Sequence, residues 1–219
     1  MKSQVNLTEE ATMEKYRNAL GNVISISEIA EAMEELGYDE LKIAEGKKIF
    51  NLAELSLMDA QKERKESSRA QKVFSQKFKE LLKVYKLDRK KAKAEFMREA
   101  SLLEFLGINH VVPLKYVQVM SEIKMYYSQL SDNADVLERL AKMKIDAERV
   151  NLAMGLIEEV EVNKLNCMKG KGESQDATQL KNNALDEIDD WMSEFYAVAA
   201  IALEDRPQLL EALGKVVKS

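Results

Sequence analysis

Apolar and small residues recur at alternating steps of three and four positions along four stretches of the chain. In order, the stretches cover residues 43–60, 74–92, 150–167 and 181–199. This spacing places a narrow apolar seam on one side of an α-helix. A polar patch at 66–68 separates the first two seams and another at 169–174 separates the last two, and we place turns there. The pattern predicts one long antiparallel helical hairpin in each half of the chain.

Shorter helices are predicted around these hairpins. Thr8 is a suitable N-cap for a first helix, and Ser25 with Glu28 has the spacing of a capping box. Gly37 is expected to stop the second helix, and Pro113 to open the first helix of the second half. Asp39 and Asp146 are the predicted N-caps of the long seam-bearing helices.

The two halves of the chain repeat each other. Residues 102–107 read Leu-Leu-Glu-Phe-Leu-Gly, and 107 positions later residues 209–214 read Leu-Leu-Glu-Ala-Leu-Gly. The same offset aligns Met13 with Met120 and Asp39 with Asp146. We therefore predict a tandem duplication, with a first helical repeat at 1–110 and a second at 111–219, packed together as one unit.

Several of these residues also carry a resemblance. The run from Leu36 to Gly46, Trp191 and the closing run from Ala202 to Gly214 are similar to a bacterial family of tandem helical-bundle proteins with no established activity. The second repeat departs from that pattern, since Lys144-Ile145-Asp146 stands where the first has Gly37-Tyr38-Asp39. The resemblance implies the fold and supplies no functional residues.

Composition agrees with an all-α fold. Apolar residues make up 46% of the chain, and two prolines and eight glycines give little punctuation for a strand-rich protein. The longest apolar run, residues 196–203, is too short to span a membrane. The single cysteine, Cys167, cannot form an internal disulfide, which fits a reducing compartment, and we expect the bacterial cytoplasm.

No chemical signature accompanies the repeat. His110, the only histidine, lies in a connecting stretch, where an ordinary loop histidine is the simplest interpretation. Cys167 falls on an apolar seam, and residues 170–174 lack the spacing of a phosphate-binding loop. We therefore predict no catalytic, cofactor-binding or metal-binding residues and no cofactor.

The two halves of the chain differ in the charge of their second seam-bearing segments. Residues 69–99 carry eleven basic and four acidic side chains, whereas the equivalent residues 176–206 carry two basic and eight acidic ones. Six lysines opposite the apolar seam form what we call the lysine stripe: Lys72, Lys79, Lys83, Lys86, Lys90 and Lys93. At the positions of Lys79 and Lys83, the second repeat has Asp186 and Asp190.

Three interpretations of this asymmetry remain open. The two faces are solvated surfaces that drifted apart, since exposed ion pairs contribute at most about 1 kcal/mol. Alternatively, the basic face of one chain docks on the acidic face of another chain or of a charged partner. The third possibility is that the lysine stripe binds nucleic acid or an anionic membrane surface. The acidic second half and the lack of an aromatic recognition pattern weigh against this third interpretation.

The sequence favours a non-enzymatic interaction or scaffold protein that associates with itself or with another protein. The lysine stripe with Asp186 and Asp190 is the predicted partner-binding surface. The alternative is a small-molecule-binding helical bundle with an apolar cavity between the long helices. An enzyme comes third, because it would need a site assembled from residues distant in sequence.

Overall fold

The computed structural model describes residues 8–215, and within them the protein is all-α. The helices of this part of the chain are α1 (Glu9–Ser25), α2 (Ser27–Glu34), α3 (Glu40–Glu95), α4 (Ala100–Phe105), α5 (Tyr116–Asp132), α6 (Ala134–Ala141), α7 (Ala147–Ala202) and α8 (Leu209–Ala212). None of the helices in the described residues has a stretch long and apolar enough to cross a membrane.

The helix boundaries repeat along the chain. Helices α5, α6 and α7 begin and end 107 positions after α1, α2 and α3, so the paired helices have equal lengths of 17, 8 and 56 residues. The two short closing helices, α4 and α8, both lead into a glycine with positive φ, Gly107 at 66° and Gly214 at 76°.

The predicted turn inside each half is wrong. Helix α3 continues through residues 66–68 and α7 continues through 169–174, so neither folds back into a hairpin. Serine and glycine lower helix stability by only about 0.5–1 kcal/mol each, and neither patch contains a proline. Gly170 lies against α3, where a Cβ would be in ordinary van der Waals contact, 3.5 Å from the Ser67 Cα.

Two compact units result. The first contains Met1–Arg64 and Glu173–Ser219, and the second contains Lys65–Gly172. We call them unit 1 and unit 2, and describe unit 1 only for its residues within 8–215. Each unit contains one part of α3 and one part of α7, so neither unit coincides with a predicted repeat. The repeats 1–110 and 111–219 stay a prediction from the sequence.

Unit 1 has an aromatic core. The Trp191 ring stacks on Phe195 with 5.5 Å between centroids, and both rings meet Tyr38 edge to face. The indole lies directly over Gly46, where a Cβ would come within 2.3 Å of the ring. Helices α1 and α2 cover this core with buried residues such as Leu20. The close approach therefore requires glycine at position 46.

Unit 2 packs the second part of α3 against the first part of α7 and against α5. The predicted seams are confirmed here, because Leu81 and Tyr85 on α3 and Ala153 on α7 are fully buried. The two long-helix segments run antiparallel, since Gln71 contacts Cys167 while Lys77 pairs with Glu159. Each seam is thus covered by the other long helix.

The helix ends follow the predicted chemistry in part. Thr8 Oγ1 accepts from Ala11 N, Asp39 Oδ1 from Lys42 N and Asp146 Oδ1 from Arg149 N, as expected for N-caps. The predictions for Ser25 and Pro113 are wrong. Ser25 ends α1 and donates to Gly21 O, so α2 begins at Ser27, and α5 begins only at Tyr116.

Gly37 ends the second helix in the left-handed region, with φ of 86°, as predicted. At the same repeat position Lys144 adopts φ of 59°, which costs a residue with a Cβ about 1–2 kcal/mol. The second repeat therefore keeps the backbone turn although it has lost the glycine.

Substitution of glycine by alanine is expected to have opposite effects on the stability of the protein at two positions, Gly172 in α7 and Gly46 in α3. Gly172→Ala should raise the free energy of unfolding by about 1 kcal/mol, because a Cβ there meets open space in a helix interior. Gly46→Ala should lower it by about 1–3 kcal/mol through overpacking against Trp191. Urea unfolding followed by circular dichroism measures both. Destabilisation by Gly172→Ala would instead indicate a turn at 169–174.

Candidate functional site: a buried charge network beside a groove

Unit 2 contains charged side chains at the level where unit 1 has its aromatic core. Asp88 and Arg89 on α3 and Glu122 on α5 are buried, with exposed fractions of 0%, 9% and 5%. Charged residues are rarely buried unless they are paired. The partners of these three residues therefore define the site.

Asp88 is held by a bidentate ion pair. Its Oδ2 lies 2.9 Å from Arg149 Nε, and its Oδ1 lies 3.2 Å from Arg149 Nη2. Tyr127 donates a further hydrogen bond of 2.9 Å to Oδ2. Such a fork is among the stronger charge-assisted contacts. The ion pair joins α3 to α7 through two residues that are 61 positions apart in the sequence.

Glu122 is the centre of a second group. Tyr85 donates a short hydrogen bond to its Oε1, and Arg89 Nε forms a 3.4 Å ion pair with the same oxygen. His110 Nε2 lies 3.0 Å from Oε2. Arg89 Nη2 also donates to the carbonyl oxygens of Ile108 and His110. Arg89 therefore fixes the connection between α4 and α5 onto α3.

Three tyrosines insulate the two carboxylates. Tyr85, Tyr126 and Tyr127 pack edge to face, with centroid distances of 5.0 to 6.4 Å. Burial raises the pKa of all three phenols, and the nearby charge of Asp88 or Glu122 raises it further. The Tyr126 hydroxyl has no hydrogen-bond partner among the described residues.

The counterpart positions in unit 1 are largely apolar. Moving 107 positions along the chain, Asp88 corresponds to Phe195 and Tyr85 to Met192, both fully buried. Arg149 corresponds to Lys42, whose Nζ contacts Glu45 on the surface. The buried charge network is therefore a feature of unit 2 and not of the common framework.

An open groove of about 740 Å³ lies beside the network. Its apolar lining includes Val84 from α3 and Leu152 and Leu156 from α7. Arg149 lines the groove as well, so one side chain takes part in both features. The volume is in the range of small-molecule sites.

The residues predicted to bind a partner lie where the seam places them. Lys72, Lys79, Lys83, Lys86 and Lys90 are exposed on α3, and Asp186 and Asp190 are exposed on α7. Lys93 is half-buried and lies within 3.4 Å of the His110 carbonyl. The lysines belong to unit 2 and the two aspartates to unit 1.

Sequence reasoning missed the buried network. The sequence pattern puts Asp88 within the seam of residues 74–92 and Arg89 among the eleven basic side chains of residues 69–99, and it indicates no partner for either. The available signal was a charged residue, Asp88, at a position of the apolar seam. Its partner Arg149 is 61 positions away, so helical periodicity does not identify it. His110 does lie in a connection, with half of its side chain exposed, yet it contacts Glu122.

The remaining chemical candidates have structural partners. Cys167 is buried on its seam and donates to Gln71 Oε1 at 2.8 Å. Within residues 8–215, no group of three or more histidine, cysteine, aspartate or glutamate side chains is placed to hold a metal ion.

Comparison of the chain with protein-family models, with curated proteins and with solved structures finds no match. The resemblance to a bacterial family of tandem helical-bundle proteins stays a prediction.

The Asp88–Arg149 pair predicts a non-additive mutant cycle. Arg149→Met should cost about 3 kcal/mol, because it leaves the Asp88 carboxylate buried without its cation. Asp88→Leu combined with Arg149→Met should recover most of that loss. Arg206→Met, which breaks the exposed pair with Glu28, is the control and should cost less than about 1 kcal/mol. Equal costs for the two arginines in urea unfolding would contradict a buried network.

The tyrosines predict a loss of stability at alkaline pH. The pKa of all seven is raised above the ordinary value of 10.0, so the folded protein keeps protonated phenols that the unfolded chain ionises. Their contribution is complete well below pH 10 and is lost as pH rises from there, by up to about 1.4 kcal/mol per pH unit for each of the fully buried phenols of Tyr85, Tyr126 and Tyr127.

Phenolate absorbance recorded together with circular dichroism measures this. We expect most phenolate to form only as the helices unfold, and Tyr85→Phe with Tyr127→Phe to reduce the loss of stability. Ionisation of all tyrosines near pH 10 in a fully helical protein would contradict the expectation.

Proposed function

We propose that the protein is a non-enzymatic interaction protein of the bacterial cytoplasm that associates with itself. The lysine stripe of one copy binds the acidic surface around Asp186 and Asp190 of another. The observation that carries this proposal is that five stripe lysines are exposed without an ion-pair partner among the described residues: Lys72, Lys79, Lys83, Lys86 and Lys90.

Another lysine on α3 does form an ion pair with α7, so the lack of ion-pair partners distinguishes the stripe lysines. Lys77, five positions after Lys72, forms a 2.6 Å ion pair with Glu159 of α7. The stripe lysines lie on the opposite side of α3 from its apolar seam, which is the side that packs against α7. Like charges at i,i+3 and i,i+4 spacing repel one another, so an acidic partner would relieve that repulsion.

The acidic surface has the complementary property. Asp186 and Asp190 are exposed one helical turn apart and have no ion-pair partner among the described residues. Each exposed pair contributes only about 0.2–1 kcal/mol, so several must form together and the association must be sensitive to salt.

A tandem duplication would account for both surfaces. The common offset of 107 between helix boundaries supports descent of both halves from one ancestral repeat, followed by divergence of their exposed faces. In an isologous dimer each copy offers its basic surface to the acidic surface of the other, so the contact forms twice.

Small-molecule binding is the second candidate function. It is favoured by the groove between the α3 and α7 segments of unit 2, which has an apolar lining and a charged rim. The groove and the lysine stripe are different surfaces, so the two functions do not exclude each other.

A charge-exchange experiment tests self-association. One variant carries Lys79→Glu, Lys83→Glu and Lys86→Glu, and the other carries Asp186→Lys and Asp190→Lys. We expect the wild type to dimerise in about 0.01 M salt and to dissociate in about 1 M salt, where the Debye length is only about 3 Å. Each variant alone should remain monomeric, whereas their equimolar mixture should form a heterodimer. Native mass spectrometry resolves these species.

The control is Lys48→Glu, Lys62→Glu and Lys65→Glu, which changes the net charge equally at exposed lysines outside the stripe. It should dimerise like the wild type. A wild type that stays monomeric at every salt concentration, or a control as defective as the stripe variant, would refute the proposed interface.

A further inference from the structure

The groove in unit 2 lies at the repeat position that Trp191 fills in unit 1. Val84 lines the groove and corresponds to Trp191 at an offset of 107. In unit 1 the indole is held between Gly46 and the rings of Phe195 and Tyr38. Unit 2 therefore has the same pair of helical segments without the aromatic ring between them.

The two rings that contact Trp191 in unit 1 also have non-aromatic counterparts in unit 2. Phe195 is replaced by Asp88, and Tyr38 by Ile145. Ala153 replaces Gly46 and is fully buried, so the residue that faces the indole in unit 1 has gained a Cβ in unit 2. Of these positions Val84 lines the groove, so unit 2 has open space beside the residue that corresponds to the buried Trp191.

The groove joins an apolar floor to an acidic rim. Val84, Leu152 and Leu156 supply hydrocarbon, and Leu152 is 60% exposed. Covering a leucine that is exposed to this degree with an apolar part of a ligand lowers the free energy of the complex.

The rim carries three carboxylates: Glu80, Glu148 and Glu159. Lys77 neutralises part of this charge, at 2.6 Å from Glu159 and 3.9 Å from Glu80. Glu148 has no ion-pair partner among the described residues. The positive charge of Arg149 on the rim is already paired with the Asp88 carboxylate through Nε and Nη2, so it does not offset the charge of the three rim carboxylates.

We propose that this groove binds a small organic cation that carries a flat aromatic ring, an arylalkylamine. The ring lies in the groove against Val84, Leu152 and Leu156, further out than the indole of Trp191 does in unit 1, because Ala153 has a Cβ where Gly46 has none. The ammonium group lies against Glu148 and the neighbouring carboxylates. An aromatic anion would face those carboxylates, and the nearby cations Arg149 and Lys77 are already paired with carboxylates of the protein. The proposal does not depend on self-association, because no stripe lysine lines the groove.

Calorimetric titration of the full chain with three indole probes tests the charge preference. The probes are tryptamine, a cation; 3-methylindole, which is neutral; and indole-3-propionate, an anion. We expect tryptamine to bind at least tenfold more tightly than indole-3-propionate, with 3-methylindole between them. Glu148→Gln should weaken tryptamine several-fold and leave 3-methylindole unchanged.

Gly155→Leu is the variant that closes the groove. A Cβ at this lining residue would have no other atom within 4 Å, and leucine in place of glycine favours the helix, so the variant should fold. We expect it to weaken tryptamine at least tenfold. Gly172→Leu, on the same helix at another site with open space, is the matched control and should bind as the wild type does.

Three results would overturn the proposal. The first is equal binding of the three probes, or no binding of any. The second is undiminished tryptamine binding by Gly155→Leu. The third is loss of the low-salt dimer in Gly155→Leu, which would make the groove an interface between copies. Failure of the charge-exchange experiment leaves these measurements unaffected, so the two proposals can fail separately.

Discussion

A helix of 56 residues with one apolar seam must be covered along its whole length, and this constraint shapes the rest of the protein. In each unit, a segment of α3 and a segment of α7 cover each other in antiparallel orientation, and shorter helices complete the core. The seam residues Leu81 and Ala153 are fully buried as a result. Because α3 and α7 are uninterrupted, each compact unit draws on both halves of the sequence, although the helix boundaries repeat half by half.

The two units satisfy the same constraint with different chemistry. Unit 1 fills the space between its long segments with Trp191 and Phe195, which contribute large apolar areas. Unit 2 has Val84 and Asp88 at these positions, and its cohesion depends on Arg149 and on buried hydrogen bonds from tyrosines. A buried ion pair contributes less to stability than well-packed rings of similar volume. What unit 2 retains is an open groove and a basic outer surface.

The sequence was sufficient for the fold class, the seams and three of the predicted N-caps, because helix periodicity and capping depend on residues three or four positions apart. The turns at 66–68 and 169–174 were predicted wrongly, since local propensity costs of about 1 kcal/mol per residue are smaller than the gain from packing an unbroken seam. The Asp88–Arg149 pair was not predictable, because its partners are 61 residues apart. Burial of Arg89 and Glu122 was missed for the same reason.

The most direct test of this account is a thiol cross-link between α3 and α7 within unit 2. Gln71 Oε1 lies 2.8 Å from Cys167 Sγ, so Gln71→Cys places a second thiol beside the native one, whereas Gln76→Cys on the exposed side of α3 does not. A short bismaleimide should link Cys167 to the cysteine at 71 within one chain, as peptide mapping would show, and should leave the cysteine at 76 unlinked. A hairpin within each half would keep residue 71 near its own half, and free thiols at 71 and 167 would contradict the paired long helices.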